Sequence, residues 1–536
     1  INRMVEFVED LPDDAPPSTF SDFKKILSQV NQHPSRSYFI YKTIIIHNLY
    51  GVDIIDEAVE ICKLRLFLKL VAQIDSVNHV EPLPDIDFNI RAGNTLVGFA
   101  TKEEVEKTVT QKLDFDNNLG KITEKAENVQ ALYDVFLQAQ MEGDDSTDDF
   151  KAELRKKLDQ LNNTLNHYLA GEYGVNVNNK NKYDNWLINH QPFHWFVEFY
   201  GILVKGGFDV IIGNPPYVNT NKIDYDLLTN IFDCVSTKDL FALVIERSLT
   251  ILKNDSYISM ITPLSATSTK TMEPLQNLIK SNSTLFWGSY YSASDQPSSL
   301  FTGVRHRLLI FTIKKGSYNN FQYYSTNFLK WYSGERGNLF FTKIKYTLID
   351  IDDFIYSKIS SVLEYGILRK LKNIKSLGEY FESQLDNNTH EVYYHNAPVY
   401  WGKVFDFLPS YKVGENEHIQ SSHVKVLKLS RKKYAKTIIS LLNSSLFYWF
   451  NWQFTNCRDL TLQNIYLMRF DFTQAKENFY DHIISLNNNL MNSLIDNKLE
   501  YKRVSNDILT VFDSFYPAKS KHILNEIDKA LAEHYG

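Results

Sequence analysis

The sequence predicts an α/β chain built on a doubly wound sheet, with a helical insertion and a less regular C-terminal half. Three observations carry this. Two apolar runs, Asn48-Leu49-Tyr50-Gly51-Val52-Asp53 and Phe208-Asp209-Val210-Ile211-Ile212, have the length and content of buried strands, and helical periodicity follows each. Between them, residues 101–190 turn to Lys, Glu, Gln and Asn with regularly spaced leucines. Beyond about residue 319 the alternation fades into Tyr-rich, irregular sequence.

The elements follow in order. Pro12, Pro16 and Pro17 mark a loop before a helix over 20–30. The strand at 48–53 passes into a helix through Ala58, Ile61, Leu64 and Leu68, the strand-to-helix unit of doubly wound folds. A short strand near 89–92 ends in Gly93-Asn94-Thr95-Leu96. In the insertion, Leu154, Leu158, Leu161, Leu165 and Leu169 define an amphipathic helix after an acidic loop at 142–149. Residues 208–212 suit a central parallel strand. Helices follow at 240–252 and about 274–280, with strands at 257–261, 285–290 and 308–313. These readings divide the chain into a first domain over 1–325, an irregular α/β domain over 326–472, and a C-terminal helical segment over 473–536. In the last, Ala475, Phe479, Ile483, Leu486, Leu490 and Leu494 form one helix, and Pro517 separates it from another at 523–531.

At 536 residues the chain has room for two or three domains. Hydrophobic residues at 43% and charged ones at 23% suit globular cores and exclude a disordered tail. The net charge of -7 does not announce a nucleic-acid binder, yet a basic cleft can sit on an acidic whole. Cys62, Cys234 and Cys457 lie far apart, which points to a reducing cytoplasm and away from a structural zinc site. No apolar run approaches the roughly 18 residues of a membrane span, and no signal peptide is visible.

The chemistry concentrates in Gly213-Asn214-Pro215-Pro216-Tyr217, directly after the strand at 208–212. Open α/β sheets bind ligands at the carboxyl ends of their strands. An exocyclic aromatic amine is a poor nucleophile because its lone pair is delocalised into the ring. The Asn214 side-chain carbonyl and the Pro215 backbone carbonyl can each accept one amine hydrogen. Together they favour a pyramidal nitrogen whose lone pair points at an incoming methyl group, which is preorganised electrostatics rather than general-base catalysis. Pro215 and Pro216 stiffen the loop. Tyr217 offers a π-face to an extracted base.

This segment resembles the catalytic motif of amino-methyltransferases that use S-adenosylmethionine. More narrowly, Pro192-Phe193-His194-Trp195 with Glu198-Phe199, leading into Gly206-Gly207-Phe208-Asp209, resembles bacterial type IIG-like restriction–modification proteins. So does Asn48–Ile54 followed by Ala58-Val59-Glu60. The resemblance implies a Rossmann-like methyltransferase domain over 1–325, a target-recognition domain over 326–472, and adenine-N6 methylation of double-stranded DNA. It further implies that Asp53 accepts the cofactor's ribose hydroxyls and Ile54 packs on its adenine. Asn94, where many relatives carry Asp, and Thr95 contact the cofactor as well. Phe301 meets the target base opposite Tyr217. Asp239-Leu240-Phe241 and Glu246 read as packing, and His194 and Trp195 as supports of the catalytic strand.

Lys425, Lys428, Arg431, Lys432 and Lys433 cluster in the second domain and suit phosphate contacts, with a merely solvated face as the alternative. No Gly occurs before Gly51. The glycine-bearing loop that the resemblance requires for the cofactor's methionine part is therefore expected upstream of Ile1, as is any fused nuclease, and the isolated chain is expected to transfer methyl groups poorly. Two rival readings are a methyltransferase of protein glutamine or RNA, and a non-catalytic DNA-binding or specificity module.

Overall fold

The computed structural model describes residues 2–536 except 13–14, 17, 112–117, 143–145, 293–299, 302–305, 318–320, 351–355, 383–389, 399–400, 415–418 and 506. Two compact units are present: 1–211 with 218–256, and 212–217 with 257–536.

The first unit opens with helices α1 (Asn2–Glu9), α2 (Ser21–Gln32) and α3 (Arg36–Asn48). Strand β1 (Gly51–Asp53) pairs in parallel with β2 (Ile90–Ala92) across helix α4 (Asp56–Val71), so the predicted strand–helix–strand unit forms. Buried Asn89 fixes its geometry. Its amide donates to the Ile46 carbonyl at 2.8 Å and the Leu49 carbonyl at 3.1 Å, closing the end of α3 just where β1 begins.

The insertion is helical as expected: α5 (Lys102–Gln111), α6 (Asn118–Glu142), α7 (Thr147–Glu172) and α8 (Lys180–His190). The predicted leucine row of α7 is wholly buried against Ile122, Ala126, Val129 and Phe136 of α6. Residues 143–145 of the expected acidic loop lie outside the described residues. Two short helices, α9 (Trp195–Glu198) and α10 (Tyr200–Leu203), lead to strand β3 (Phe208–Gly213). Gly207 sets the turn into β3. Its φ is +114°, and a Cβ there would stand 2.3 Å from the Ile251 carbonyl oxygen. Helix α11 (Leu240–Ile251) follows and is almost entirely buried.

The six-stranded sheet has the order β3-β4-β6-β5-β7-β8, with β4 (Leu252–Pro263), β5 (Ser283–Tyr291), β6 (Leu308–Lys315), β7 (Gln322–Leu329) and β8 (Thr347–Ile349). Helices α12 (Ser265–Ser268) and α13 (Glu273–Asn282) connect β4 to β5. The sheet is mixed: β6 runs antiparallel to both β4 and β5, whereas β7 runs parallel to β5. Two expectations change here. The sheet continues past residue 325 through β7 and β8, because the Tyr-rich run at 322–329 alternates inward Tyr323 and Ser325 against β5. And β3, expected at the centre, ends the strand order among the described residues, leaving Val210 60% and Ile212 78% exposed.

Further along lie α14 (Val362–Leu371), α15 (Leu377–Glu382), and the small antiparallel sheet of β9 (His390–His395), β10 (Val404–Phe405) and β12 (Val424–Leu429). Helix α16 (Lys432–Asn443) packs on this sheet, and α17 (Ser445–Phe454), α18 (Leu462–Leu467), α19 (Glu477–Asp496) and α20 (Lys521–Tyr535) follow, α19 packing on both α16 and α20. The C-terminal segment is not purely helical. An antiparallel hairpin, β13 (Leu499–Ser505) and β14 (Ile508–Ser514), separates α19 from α20 and pairs with β11 (Tyr411–Val413). No helix among the described residues is long and apolar enough to cross a membrane.

Gly207→Ala should destabilise the first unit by about 2–4 kcal/mol, because it combines a left-handed φ with a clash against backbone. The expected reading is a fall of several degrees in the earliest thermal transition. Gly366→Ala, in α14 with open space around it, should leave that transition unmoved.

Candidate active site

The acceptor loop begins where β3 ends. Asn214 is exposed, Pro215 buried, Pro216 exposed and Tyr217 half-buried. Two consecutive prolines fix φ at both positions and remove two N–H donors, so this stretch presents acceptors. Tyr217 anchors the loop: its hydroxyl donates to the Ile261 carbonyl of β4 at 3.0 Å. Burial pushes that hydroxyl's pKa up to about 12, so it stays a donor at neutral pH. The ring packs on a cluster of Tyr291, Leu300, Leu308, Trp331 and Leu339, and meets His306 edge-on at 6.3 Å between centroids. Phe301 is 41% exposed and adjoins Leu300 of that cluster. Ser298, Ser299 and Thr302–Val304, which surround Phe301 in its motif, lie outside the described residues.

In the first unit, Asp53 sits at the carboxyl end of β1. One carboxylate oxygen accepts the Ile55 N–H at 2.9 Å, and its backbone carbonyl takes the Gly93 N–H at 2.9 Å. Ile54 is 38% exposed, an apolar side chain beside an exposed acid. Asn94 is buried. Its side-chain oxygen accepts the Leu96 N–H at 3.1 Å and so builds the turn after β2, while its Nδ2 has no acceptor among the described residues. The Tyr225 hydroxyl faces the Asn94 amide, which partly offsets the burial that raises the Tyr225 pKa. Sequence reasoning passed over Tyr225, since a Tyr in an irregular stretch carries no pattern. Thr95 is half-buried, and its carbonyl faces the Trp195 indole N–H at 3.4 Å.

The supporting residues separate into two roles. Trp195 packs edge-on against Phe208 at 5.9 Å, and Tyr50 does so at 6.1 Å, so β3 rests on an aromatic cluster shared with the entry to β1. His194 holds a different part of the unit. Its Nδ1 accepts the Phe99 N–H at 3.2 Å and its Nε2 therefore donates to Asn166 at 2.9 Å. Burial lowers its pKa to about 3. Glu246 accepts the Asp233 and Cys234 N–H groups at 2.7 and 3.0 Å, a structural role.

Of the basic cluster, Lys425 and Lys428 are both exposed on β12, three residues apart and so on opposite faces of the strand, and Arg431 and Lys432 are exposed just beyond its end. Lys433 is engaged otherwise. It pairs with Glu477 at 2.9 Å and lies 4.3 Å from the Tyr480 ring centroid.

A parallel strand–helix–strand unit with an acid at its first strand end is consistent with a Rossmann-like methyltransferase fold. Residues 47–294, a little under half of the chain, match the Eco57I restriction-modification methylase model. A type II restriction enzyme and methyltransferase from Methanocaldococcus jannaschii is 31% identical over 278 residues, covering 42% of this chain and 23% of that protein. The chain thus spans about a quarter of that relative's length. Among solved structures, the ATP-dependent Type ISP restriction-modification enzyme LlaBIII bound to DNA is 10% identical, with a TM-score of 0.27, over 95% of this chain and 51% of that one. A modification subunit of a type I restriction enzyme from Vibrio vulnificus YJ016 is 15% identical, with a TM-score of 0.22, over 29% and 36%. Likenesses this slight carry no functional weight.

His194 makes a pH prediction. Its folded pKa near 3 lies below the ordinary value of 6.5, so the unfolded chain binds this proton first as pH falls. Stability is full above pH 6.5 and is lost as pH drops from 6.5 toward 3, by about 1.4 kcal/mol per pH unit for this group. His194→Gln should remove one proton from the acid-unfolding slope in that window; an unchanged slope would show that His194 is not the titrating group.

Proposed function

We propose that the domain transfers a methyl group from S-adenosylmethionine to the N6 amine of an adenine extruded from double-stranded DNA. The carrying observation is the acceptor loop, where Asn214 is exposed at a strand's carboxyl end and Tyr217 is locked to Ile261. The restriction-modification methylase match over 47–294 supports the reaction class. The Methanocaldococcus jannaschii relative, a restriction enzyme and methyltransferase, supports DNA as substrate.

The residues suit this chemistry in order. Asn214 Oδ1 and the Pro215 carbonyl accept the two amine hydrogens and turn the nitrogen's lone pair toward the methyl group. Tyr217 and Phe301 bracket the extruded base, replacing the stacking lost from the duplex. In the first unit the donor residues fit the cofactor's adenosine. Asp53 offers a carboxylate to the ribose, Ile54 an apolar surface to the base, and Asn94 a buried amide beside the Tyr225 hydroxyl. When bound, S-adenosylmethionine supplies the electrophilic methyl group. Amine deprotonation follows attack and needs no resident base, because the methylated ammonium is strongly acidic. Lys425, Lys428, Arg431 and Lys432 serve the DNA backbone, and residues 326–472 read the target sequence.

Measured against a methylation-competent wild type, Asn214→Ala should lower tritiated-methyl transfer to mixed-sequence duplex DNA by at least about 100-fold, the scale of one lost transition-state contact. DNA affinity and melting temperature should hold, since Asn214 is exposed. Tyr217→Phe should lose less than Tyr217→Ala. Retained transfer by the Asn214→Ala protein would overturn the assignment.

A further inference from the structure

One end of the six-stranded sheet carries a feature that no sequence motif announces. Register fixes a row across it: Pro263 of β4 faces Leu308 of β6, Leu308 faces Tyr291 of β5, and Tyr291 faces Leu329 of β7. Strand β6 begins at this row and β7 ends at it. Arg307 and Lys330 therefore both leave the sheet here, two strand spacings or about 10 Å apart. It is also the acceptor end. Tyr217 bonds to Ile261, two residues before Pro263, and packs against His306, the neighbour of Arg307.

A third cation joins them through α17. Lys330 Nζ lies 4.6 Å from the Trp452 ring centroid. The Trp452 carbonyl accepts the Cys457 thiol at 3.3 Å, and Arg458 comes next, its side chain 77% exposed and paired with the less exposed Asp459 at 3.7 Å. Beneath this loop, buried Lys358 donates to the Gln453 and Thr455 carbonyls at 2.8 Å each, pinning the segment that carries Arg458. Arg307, Lys330 and Lys358 all act electrostatically on the Cys457 thiol, although burial dominates and raises its pKa. Arg307 Nε is buried with no acceptor among the described residues. On a chain of net charge -7, such a gathering of cations is local rather than compositional.

We propose that Arg307, Lys330 and Arg458 form a phosphate clamp that holds the DNA backbone on either side of the nucleotide extruded toward Tyr217. The inference rests on the reading of the acceptor loop as a site for a DNA base. Rotating a nucleotide out of the stack swings its two flanking phosphates with it. Cations spaced along the sheet end beside Tyr217 hold those phosphates without reading sequence. The clamp is separate from the β12 cluster, because it is assembled only by the sheet register and the α17 loop.

The test is the salt dependence of binding to a mixed-sequence 40-bp duplex, followed by fluorescence anisotropy between about 50 and 300 mM NaCl. Lys330→Gln and Arg458→Gln, both at exposed positions, should each reduce the slope of log affinity against log salt by about 0.9, and together by roughly twice that. Lys156→Gln, at an exposed position of α7, should leave it unchanged. Arg307→Lys should keep most of the wild-type slope where Arg307→Gln does not, which separates lost charge from lost folding. Unchanged slopes in both the Lys330 and Arg458 variants would overturn the clamp. If those slopes stay unchanged while Asn214→Ala abolishes methylation, the clamp alone fails. If Asn214→Ala leaves methylation intact, the reading of the acceptor loop fails, and the slopes still decide whether these cations meet phosphates.

Discussion

The hydrogen bond from Tyr217 to the Ile261 carbonyl is the constraint on which the acceptor site depends. In the proposed reading, a loop that presents an amide oxygen and a carbonyl to one nitrogen has little tolerance for motion. Pro215 and Pro216 remove two backbone rotations, but they leave the far end of the loop unsecured. Tyr217 secures it, by donating its hydroxyl to a carbonyl of β4 and by ring packing on the cluster that holds Tyr291 and Trp331. The next residues are pinned as well: Leu240 N–H donates to the Val218 carbonyl and Thr220 N–H to the Lys238 carbonyl. The side chain most suited to stack on a base thus also holds the backbone that carries the acceptors.

The first unit achieves rigidity differently. Its two-stranded sheet is small, and order comes from buried polar anchors set in a helical shell. Asn89 closes α3 onto β1 and His194 ties Phe99 to α7. Arg247, 2% exposed at its side chain, reaches Glu104 at 2.8 Å, and Glu104 in turn accepts the Ala100 N–H. Removing one partner of such a pair is costly because the other is left buried and unmet. The insertion, which contributes no residue to the proposed chemistry, is in this sense the scaffold of Asp53 and Asn94.

Much of this was legible in the sequence where one physical signal dominated. The leucine row of α7 and the apolar run of β3 each encode their element by periodicity, and Asn-Pro-Pro-Tyr encodes its loop by composition. The sheet's extension through β7 was hidden because Tyr323 and Tyr324 serve a buried and a half-buried face with the same residue type. The β13–β14 hairpin was hidden because its strands face solvent and lack an inward apolar alternation. At the candidate site, Asn214 and Tyr217 could be named in advance since they are contiguous. Arg307, Lys330 and Arg458 could not, being brought near one another only by strand register and by the Trp452 contact. The pairing of Lys433 was hidden for the same reason: its partner Glu477 lies 44 residues away in sequence.

The central claim is that Asn214 and Pro215 activate an adenine amine. Its most direct test is to incubate duplex DNA with a methylation-competent form of the protein and S-adenosylmethionine, digest the DNA to nucleosides, and identify the methylated one by mass spectrometry. The account predicts N6-methyldeoxyadenosine. Methylation confined to cytosine, or to protein glutamine with none in DNA, would contradict it.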